Sequence, residues 1–305
     1  IDMKYIKYLL IAGFVQLGFA QQDALFTNYM FNPANFNPAY TGSRGVTSLF
    51  LQHRQQWQGI AGAPETSYFN VQTYNAANKS GWGLGVQNDQ LGNIKETEVS
   101  IDYAYHLKVS DKGQLSLGIK GSVNQYAVDF NALNPYQQDG ALVQNIDRNW
   151  TPNFGMGLFY YTDRSYVGIA VPHLLEQSHF DNVQVGQAVD KAHFNASAGY
   201  VFDVSPRLQW KPSIFVRTLY QLPAQFDLSS SFMVDQKVQL GLTYRIDAAL
   251  AGMAAFQVHP QWLMGYSYDF DRSPLRNYNQ GSHEIFLRYE FGSAKNRIVQ
   301  SPRFF

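Results

Sequence analysis

The sequence lacks cysteine, and after its first twenty residues it also lacks any long hydrophobic run. Without cysteine the fold must hold without disulfides, even though an exported protein could form them. Because a transmembrane helix needs about 20 consecutive apolar residues, none is predicted after the start of the chain. Neither charge sign is in excess, since 23 basic residues balance 23 acidic ones. This balance gives no reason to expect nucleic acid as a partner.

The start of the chain has the pattern of an export signal. Lys4 and Lys7 precede an apolar stretch over residues 8–19, and small residues stand before the expected cleavage position. The apolar stretch is too short to span a bilayer, which weakens the alternative of an anchoring helix. We therefore predict a signal peptide over residues 1–20, including two extra residues ahead of the first methionine. The missing cysteine excludes a lipoprotein.

Alternating polarity is the main pattern from about Val46 to Phe291. It is clearest in Glu96–Lys108, where bulky apolar residues occupy alternate positions along most of the segment. A period of two is typical of a β-strand and leaves no helical face. Aromatic residues make up 15% of the chain, yet the mean hydropathy is slightly polar. Such a composition is typical of a β-barrel with a wet interior and aromatic girdles, and in part of an exported β-sandwich.

About fourteen strands are predicted from this alternation. Their approximate spans are 44–54, 66–75, 81–90, 95–109, 114–128, 152–162, 165–174, 191–204, 208–219, 226–235, 237–247, 248–259, 261–271 and 282–292. Lengths near ten residues fit tilted strands that cross a bilayer. We therefore predict an all-β fold, a transmembrane antiparallel barrel of about 14 strands over residues 44–292.

The connections between these strands alternate in length. The short set is 76–80, 110–113, 163–164, 205–207, 236 and 260, and the interleaved long set includes 55–65, 130–151, 175–190, 220–225 and 272–281. Two connections in long positions, 91–94 and the junction after residue 247, are themselves short. Outer-membrane barrels have short periplasmic turns and longer external loops, whereas a sandwich has no reason for this order. We predict an outer-membrane protein with both termini periplasmic, including a tail over residues 293–305.

The polar faces of the strands carry both charge signs. The set is Glu96, Glu98, Asp102, Lys120, Arg217, Asp227, Arg245, Asp269, Glu284, Arg288 and Glu290. Opposite charges can pair across the interior instead of producing one strong field. A filled or narrow lumen is therefore favoured over an open channel.

Residues 21–43 have a different composition from the strands. They combine several aromatic side chains with two Asn-Pro steps, Asn32-Pro33 and Asn37-Pro38. Asn-Pro favours turns and cannot continue a regular ladder, while so much aromatic surface should not be left in water. We predict a non-regular segment packed against the periplasmic mouth or the interior of the barrel. A loose periplasmic tail is the alternative.

The sequence gives little support for a catalytic or metal site. The seven histidines share no close ligand spacing, and no CxxC or HExxH motif supports a zinc site. Ser197 and Ser229 are not distinguished from ordinary lumen-lining residues, so no nucleophile is assigned. We predict no enzyme activity, no catalytic residue, no cofactor and no metal site.

The glycines inside the strands and the tryptophans are interpreted as structural residues. Gly83, Gly85, Gly155 and Gly157 lie inside predicted strands and indicate close packing or curvature, not phosphate loops. The tryptophans fall at strand ends or in loops and are interpreted as an interfacial girdle. They are Trp57, Trp82, Trp150, Trp210 and Trp262.

The long connection 130–151 is the first candidate for partner binding. Connections of this length are more often functional or disordered than simple closures, and aromatic residues with arginine commonly anchor interfaces. The candidate residues are Tyr136, Asn145, Arg148 and Trp150. A loop that folds inward and caps the lumen is the alternative. Loops 175–190 and 272–281 are the next candidates.

Ordered motifs in the first third are more specific than composition. They are Gln22-Asp23, Phe26–Asn32, Asn37–Gly45, Arg54–Ile60, Gly62–Thr66, Asn88-Asp89 with Gly92, and Asp102–Tyr105. In this order, and with the closing Pro302–Phe305, the sequence resembles the PorP/SprF family. The likeness is close over the first third and continues by strand pattern and length.

This resemblance implies an outer-membrane barrel of the type IX secretion and gliding apparatus of Bacteroidota. Family members are associated with a periplasmic ring built by a lipoprotein and its partner. Some are dedicated to one very large secreted surface protein, often an adhesin. Neither role needs a cofactor, and the resemblance transfers no catalytic or partner-site residue.

The resulting hypothesis is a non-enzymatic barrel surrounded by outer-membrane lipids. It would dock periplasmic ring components and help export or anchor a secreted surface protein. A passive porin or solute channel is the alternative.

Overall fold

The structure, a computed structural model, describes residues 26–129, 146–175, 177–178, 189–190, 192–219 and 223–292. The strands are β1 Ser48–Gln55, β2 Glu65–Asn75, β3 Ser80–Leu91, β4 Ile94–Lys108, β5 Gln114–Val128, β6 Ile146–Tyr161, β7 Ser165–Val171, β8 Gln177–Ser178, β9 Val189–Asp190, β10 His193–Tyr200, β11 Phe202–Ser205, β12 Leu208–Leu219, β13 Gln225–Val234, β14 Val238–Arg245, β15 Ala249–His259, β16 Trp262–Asp271 and β17 Ser282–Glu290. These ranges contain no helix long and apolar enough to cross a bilayer. The predicted signal peptide and C-terminal tail lie outside the described residues.

The sheet closes on itself. Neighbouring strands pair antiparallel from β1 to β7 and from β12 to β17, while β10 pairs with both β7 and β12. The first strand, β1, pairs along its whole length with the last, β17. This confirms the predicted barrel of about 14 antiparallel strands, with β11 as one extra strand beside the start of β12. Closure pairs the first and last strands with each other, so neither is an edge strand.

Several predicted strand bounds differ from the structure, and three of the differences bear on the fold. Strand β6 begins at Ile146, so the connection before it is shorter than predicted. The predicted strand 191–204 is interrupted at Val201, which is buried. Strand β1 begins only at Ser48, because the chain first turns at Gly45, whose φ of +70° suits glycine.

The two ends of the barrel differ in their connections. At one end, here named the short-turn end, the connections are 76–79, 109–113, 162–164, 206–207, 235–237 and 260–261. At the other, the long-loop end, they include 56–64, 92–93, 246–248 and 272–281. The alternation expected from sequence is therefore present, and the connections after β3 and β14 are short, as the sequence indicates.

Outward faces are apolar and carry aromatic residues near both ends. At the short-turn end the Trp82 ring lies 4.9 Å from that of Tyr103, and the Trp262 ring lies 4.6 Å from that of Tyr289. At the long-loop end Trp150 is 53% exposed on β6. Aromatic side chains at these two levels fit the predicted interfacial girdles.

Candidate functional site: a plug inside the barrel

Residues 26–44, here named the plug, lie inside the barrel. They form three short 3-10 turns, Tyr29–Phe31, Pro33–Asn35 and Pro38–Tyr40. Proline begins the second and third turns, where its missing N–H costs nothing. The Asn37 side chain accepts a hydrogen bond from the Ala39 N–H at 3.0 Å and so fixes the third turn. All plug residues are buried except two that are half-buried.

The plug begins near the long-loop end. The backbone N–H groups of Thr27 and Asn28 donate to the two oxygens of Glu284, at 2.8 and 2.9 Å. The Thr27 hydroxyl donates to Asp269, with its oxygen 2.6–2.7 Å from the carboxylate oxygens. Charge-assisted bonds of this kind are among the stronger hydrogen bonds in proteins. They fix the plug to β16 and β17.

A buried ion cluster holds these carboxylates. The Arg54 guanidinium lies 2.7 Å from Asp269 and 2.9 Å from Glu284. Arg245 lies 3.0 Å from Asp227 and 3.7 Å from Asp269. The cluster thus has two cations and three carboxylates, and hydrogen bonds from Thr27 and Asn28 satisfy the remaining acceptors. The predicted pairing of opposite charges across the lumen is confirmed here.

Aromatic stacking holds the middle of the plug. The Tyr29 ring stacks on Phe215 with centroids 5.0 Å apart. Phe31 packs at 4.4 Å against Phe286, which in turn stacks on Phe50 at 5.5 Å. Pairs at these separations add stabilisation beyond the burial of apolar area. The plug and the inward aromatics therefore share one hydrophobic core.

A row of small residues crosses the wall beneath the second half of the plug. One residue from each of β3, β4, β5, β6 and β7 belongs to it, and each is in register with the next. The row is Gly81, Ala104, Gly118, Gly157 and Ala170. Small side chains along one row create a groove on the inner wall, and residues 37–42 lie in this groove.

Backbone contacts show how close the approach is. A Cβ added at Gly118 would lie 2.1 Å from the backbone nitrogen of Ala39, and one at Gly81 would lie 2.0 Å from the carbonyl oxygen of Thr41. Real Cβ atoms do not approach other atoms so closely. Glycine is therefore required at both positions while the plug is seated.

Asn37 ties the plug to the seam between β6 and β7. Its side-chain amide donates to the carbonyl oxygens of Leu158 at 3.0 Å and Ile169 at 3.5 Å. An added Cβ at Gly157 would lie 2.1 Å from Asn37 Oδ1. Of the four glycines interpreted from sequence as close-packing positions, Gly83 and Gly157 face the plug, whereas Gly85 and Gly155 approach Ser100 and Pro172 of the wall.

The plug leaves the lumen at the short-turn end. Arg44 forms an ion pair with Glu290, whose carboxylate also lies 3.6 Å from Arg288. From Thr27 to Arg44, the plug therefore runs from the long-loop end to the short-turn end. Beside Arg44 the lumen opens into a cavity of about 1030 Å³, whose lining includes Lys237 and His259.

A second group of charges lies on the opposite wall. Lys120 lies 3.2 Å from Glu98, and His173 lies 2.6 Å from the other oxygen of that carboxylate. Asp102 is fully buried and stands in register with Lys120. These groups confirm the inward positions predicted for this strand pair.

Sequence reasoning missed three inward cations. Arg54, Arg44 and Lys211 are all buried in the lumen, and Lys211 lies 5.9 Å from the centre of the Tyr166 ring. Arg54 shares the inward face of β1 with Phe50 and was detectable from the period of two. Arg44 precedes the first strand, so the strand pattern does not identify it.

The predicted partner-binding residues are placed only in part. Tyr136 and Asn145 lie outside the described residues. Arg148 and Trp150 belong to β6 and not to the preceding loop. For Arg148 the structure describes the backbone only. Trp150 is half exposed at the level of the long-loop girdle. Their role in binding stays a prediction.

Metal chemistry finds no support in the described residues, which contain no group of three or more His, Asp or Glu side chains able to hold an ion. Most inward charges there pair with one another or with the plug, but the buried Asp102 carboxylate accepts no hydrogen bond. Among the residues described, the plug and the inward side chains thus form one packed interior.

Comparisons with known proteins agree with this architecture. The sequence profile of the family described as "Type IX secretion system membrane protein PorP/SprF" matches residues 18–289. No curated protein matches the chain. Among solved structures, the CymD monoaromatic hydrocarbon channel aligns with a TM-score of 0.52 and 12% identity, covering 87% of this chain and 93% of the channel. Omp33 of Acinetobacter baumannii aligns at 0.48 and 8%, covering 81% and 100%. The likeness to the channel concerns the fold alone.

Proposed function

Because the chain belongs to the PorP/SprF family of type IX secretion system membrane proteins, we propose that this outer-membrane barrel is a non-enzymatic scaffold of secretion. Its short-turn end faces the periplasm and docks the secretion ring, a lipoprotein with its partner. Its long-loop end faces outward and helps export or anchor a large adhesin-like surface protein. The described residues offer no catalytic constellation that this role would leave unexplained.

The plug is the observation that carries this proposal. A passive solute channel needs a continuous water-filled path, whereas residues 26–44 cross the lumen from end to end and pack against its walls. Their contacts with β3–β7 and with β16–β17 lie on opposite sides of the lumen. A filled barrel is suited to rigid presentation of its two ends.

The short-turn cavity supports docking from the periplasm. It is about 1030 Å³ in volume, and its lining combines polar groups, including Gln257, Gln261 and Lys237, with apolar ones such as Met233 and Leu263. A mixed lining with several side-chain amides suits a peptide segment, which offers hydrogen bonds as well as apolar side chains. Ring components would meet the barrel at this end.

Planar-bilayer recording tests the proposal. We expect purified wild-type protein to give no large, stable conductance, and a variant that lacks residues 26–36 to conduct. Large stable steps from the wild type would overturn the scaffold proposal and establish the porin alternative. The wild-type recording decides between the two even if the shortened variant does not fold. Proteins co-purified from the native membrane then identify the ring and surface partners.

A further inference from the structure

The outward face of the barrel marks where the hydrocarbon layer ends. Six outward side chains on β17 and β1–β5 are apolar and lie in one in-register row, which is inclined to the membrane plane because barrel strands are tilted. They are Leu287, Leu51, Phe69, Val86, Val99 and Val123. Because this row faces lipid, the hydrocarbon layer beside β1 and β2 reaches at least to Leu51 and Phe69.

Two polar rows follow toward the long-loop end. The first contains His53, Ser67, Asn88, Thr97 and Gln125, with the apolar Ile285 at its β17 position. The second contains His283, Gln55, Glu65, Gln90 and Lys95. Successive outward rows are about 7 Å apart, since a strand rises about 3.3 Å per residue. On β1 and β2, Gln55 and Glu65 thus lie roughly 13 Å beyond Leu51 and Phe69 along the strand. Because barrel strands are tilted by about 35–45°, the difference in depth is about 10 Å, toward the lipid headgroups.

A small cavity lies directly at the second row, beneath the loop 56–64. Its volume is about 210 Å³. The side chains that line it include Gln55, Gln56, Trp57, Gln58, Glu65 and Gln90, together with glycine backbone. We name it the rim pocket. It opens on the outside of the barrel and is separate from the lumen.

Backbone hydrogen bonds between neighbouring loops make the rim pocket rigid. The Gln58 N–H donates to Gly281 at 2.8 Å, and the Gln280 N–H donates back to Gln58 at 2.8 Å. The Gly92 N–H donates to Gly62 at 2.9 Å on the other side. The loop is therefore tied to both neighbouring connections, so the pocket is preformed.

Trp57 is held in an unusual backbone conformation. Its φ is +44°, in the left-handed region that bulky residues rarely adopt. Its N–H donates to the Ser282 hydroxyl at 3.1 Å, which supports that conformation. Backbone strain of this kind persists where the surrounding structure enforces it and often marks ligand sites.

The chemistry of the lining selects the ligand class. Each glutamine amide offers both donors and an acceptor, and the indole offers an apolar face with one donor. The lining includes no lysine or arginine, and its one carboxylate, Glu65, lies 3.6 Å from the His53 ring. Lys95 stands beside Gln90 in the same row but outside the lining, so a phosphate would have no cation within the pocket and is disfavoured. A neutral group rich in hydroxyls, with an apolar ring face, fits these partners.

We propose that the rim pocket binds the neutral sugar headgroup of a glycolipid in the outer leaflet. The acyl chains of that lipid would lie along the apolar row below, near Leu51 and Phe69. The pocket stands at headgroup depth on the lipid-facing surface, which favours a membrane glycolipid over a soluble glycan. The assignment to the outer leaflet rests on the proposed orientation, with the long-loop end outside.

Native mass spectrometry from mixed micelles tests the proposal. The full-length protein is equilibrated with monoglucosyl diacylglycerol, phosphatidylethanolamine or phosphatidylglycerol at equal concentration. We expect preferential retention of the glucolipid by the wild type. The double variant Trp57→Ala/Gln58→Ala should reduce that retention about ten-fold, equivalent to 1.4 kcal/mol.

Gln236→Ala is the matched control, because it removes an exposed amide at the opposite end of the barrel. It should retain the glucolipid like the wild type. Equal retention by the double variant and the wild type, or equal retention of all three lipids, would overturn the proposal. If free glucose competed for the pocket as strongly as the intact glucolipid, the ligand would instead be assigned as a soluble glycan. Gln58→Ala alone, which keeps the tryptophan, gives the answer if the double variant misfolds.

The glucolipid experiment tests the rim pocket independently of the secretion role. Binding in micelles needs neither a secretion partner nor a particular orientation, so loss of one proposal leaves the other standing. A conducting wild-type barrel could still bind the glucolipid, and a closed barrel could fail to bind it.

Discussion

The contact between the plug and the inner wall can be tested by adding one methyl group. Gly118 on β5 faces the plug, and its replacement by alanine would place a Cβ 2.1 Å from the Ala39 nitrogen and 2.4 Å from the Ala39 Cα. Carbon atoms make ordinary contacts at about 3.5–4.0 Å. The plug would therefore have to retreat by more than about 1 Å.

Such a retreat is obstructed on both sides. The neighbouring plug residues are Asn37, which is bonded to Leu158, and Thr41, whose carbonyl lies 3.0 Å from the His106 ring nitrogen. The atoms that would be struck belong to backbone and cannot turn away. Overpacking of a closed core costs about 1–3 kcal/mol, and we expect Gly118→Ala near the upper end of that range.

Gly121→Ala on the same strand is the matched control. An added Cβ there meets nothing within 4 Å. Both substitutions restrict the unfolded chain by the same amount, about 0.4–1 kcal/mol, so the difference between the two variants isolates the overpacking. Gly121→Ala should be neutral or slightly stabilised.

Urea unfolding in phospholipid vesicles, followed by tryptophan fluorescence, measures the difference. We expect a lower midpoint for Gly118→Ala than for Gly121→Ala, with similar slopes. Channel recordings show whether Gly118→Ala also displaces the plug, since only a displaced plug should produce conductance. Coincident midpoints for the two variants, with no conductance from either, would refute the close approach of the plug to β5.

Two further predictions concern the ion cluster and the orientation. Arg54→Met should lower the free energy of unfolding by about 3–5 kcal/mol, because it removes the ion-pair partner of the buried Glu284 and leaves Asp269 with only Arg245, at 3.7 Å. The exposed control Arg276→Met should change it by less than about 0.5 kcal/mol, and equal losses would contradict the cluster's role. Because the chain has no native cysteine, Tyr278→Cys, at a site 75% exposed, should react with an impermeant maleimide on intact cells. Asp111→Cys at the short-turn end should react only after permeabilisation, and the reverse order would invert the proposed orientation.

The strands were predictable because a barrel wall has two chemically different faces. Outward residues such as Leu242, at 60% exposure, alternate with buried inward ones such as Thr243 and Arg245. Outward positions within the hydrocarbon layer face lipid, so the period of two persists in most strands. The prediction was wrong where this contrast fails, as at Val201, a buried residue that interrupts the predicted strand 191–204.

The path of the plug was not predictable in the same way. Its composition indicated burial, and the interior was one of the two places expected for it. The groove that seats it exists only after Gly118 and Gly157 come into register, although they are distant in sequence. Register depends on turn lengths and pairing across the whole sheet. A scan for inward small residues on successive strands could have suggested the row.

Closure of the barrel concentrates both the plug contacts and the loop contacts at one seam. Strands β1 and β17 are the ends of the barrel, and Arg54 of β1 reaches Glu284 of β17 from inside. Thr27 bonds to the same carboxylate, so the plug joins this link. Outside, Gln58 and Gly281 extend the ladder beyond the two strands. A seam held by side chains inside the lumen and by backbone hydrogen bonds in the loops resists the fraying to which terminal strands are otherwise exposed. Rigidity at the seam extends to the long-loop surface, where the proposed scaffold must hold its partner.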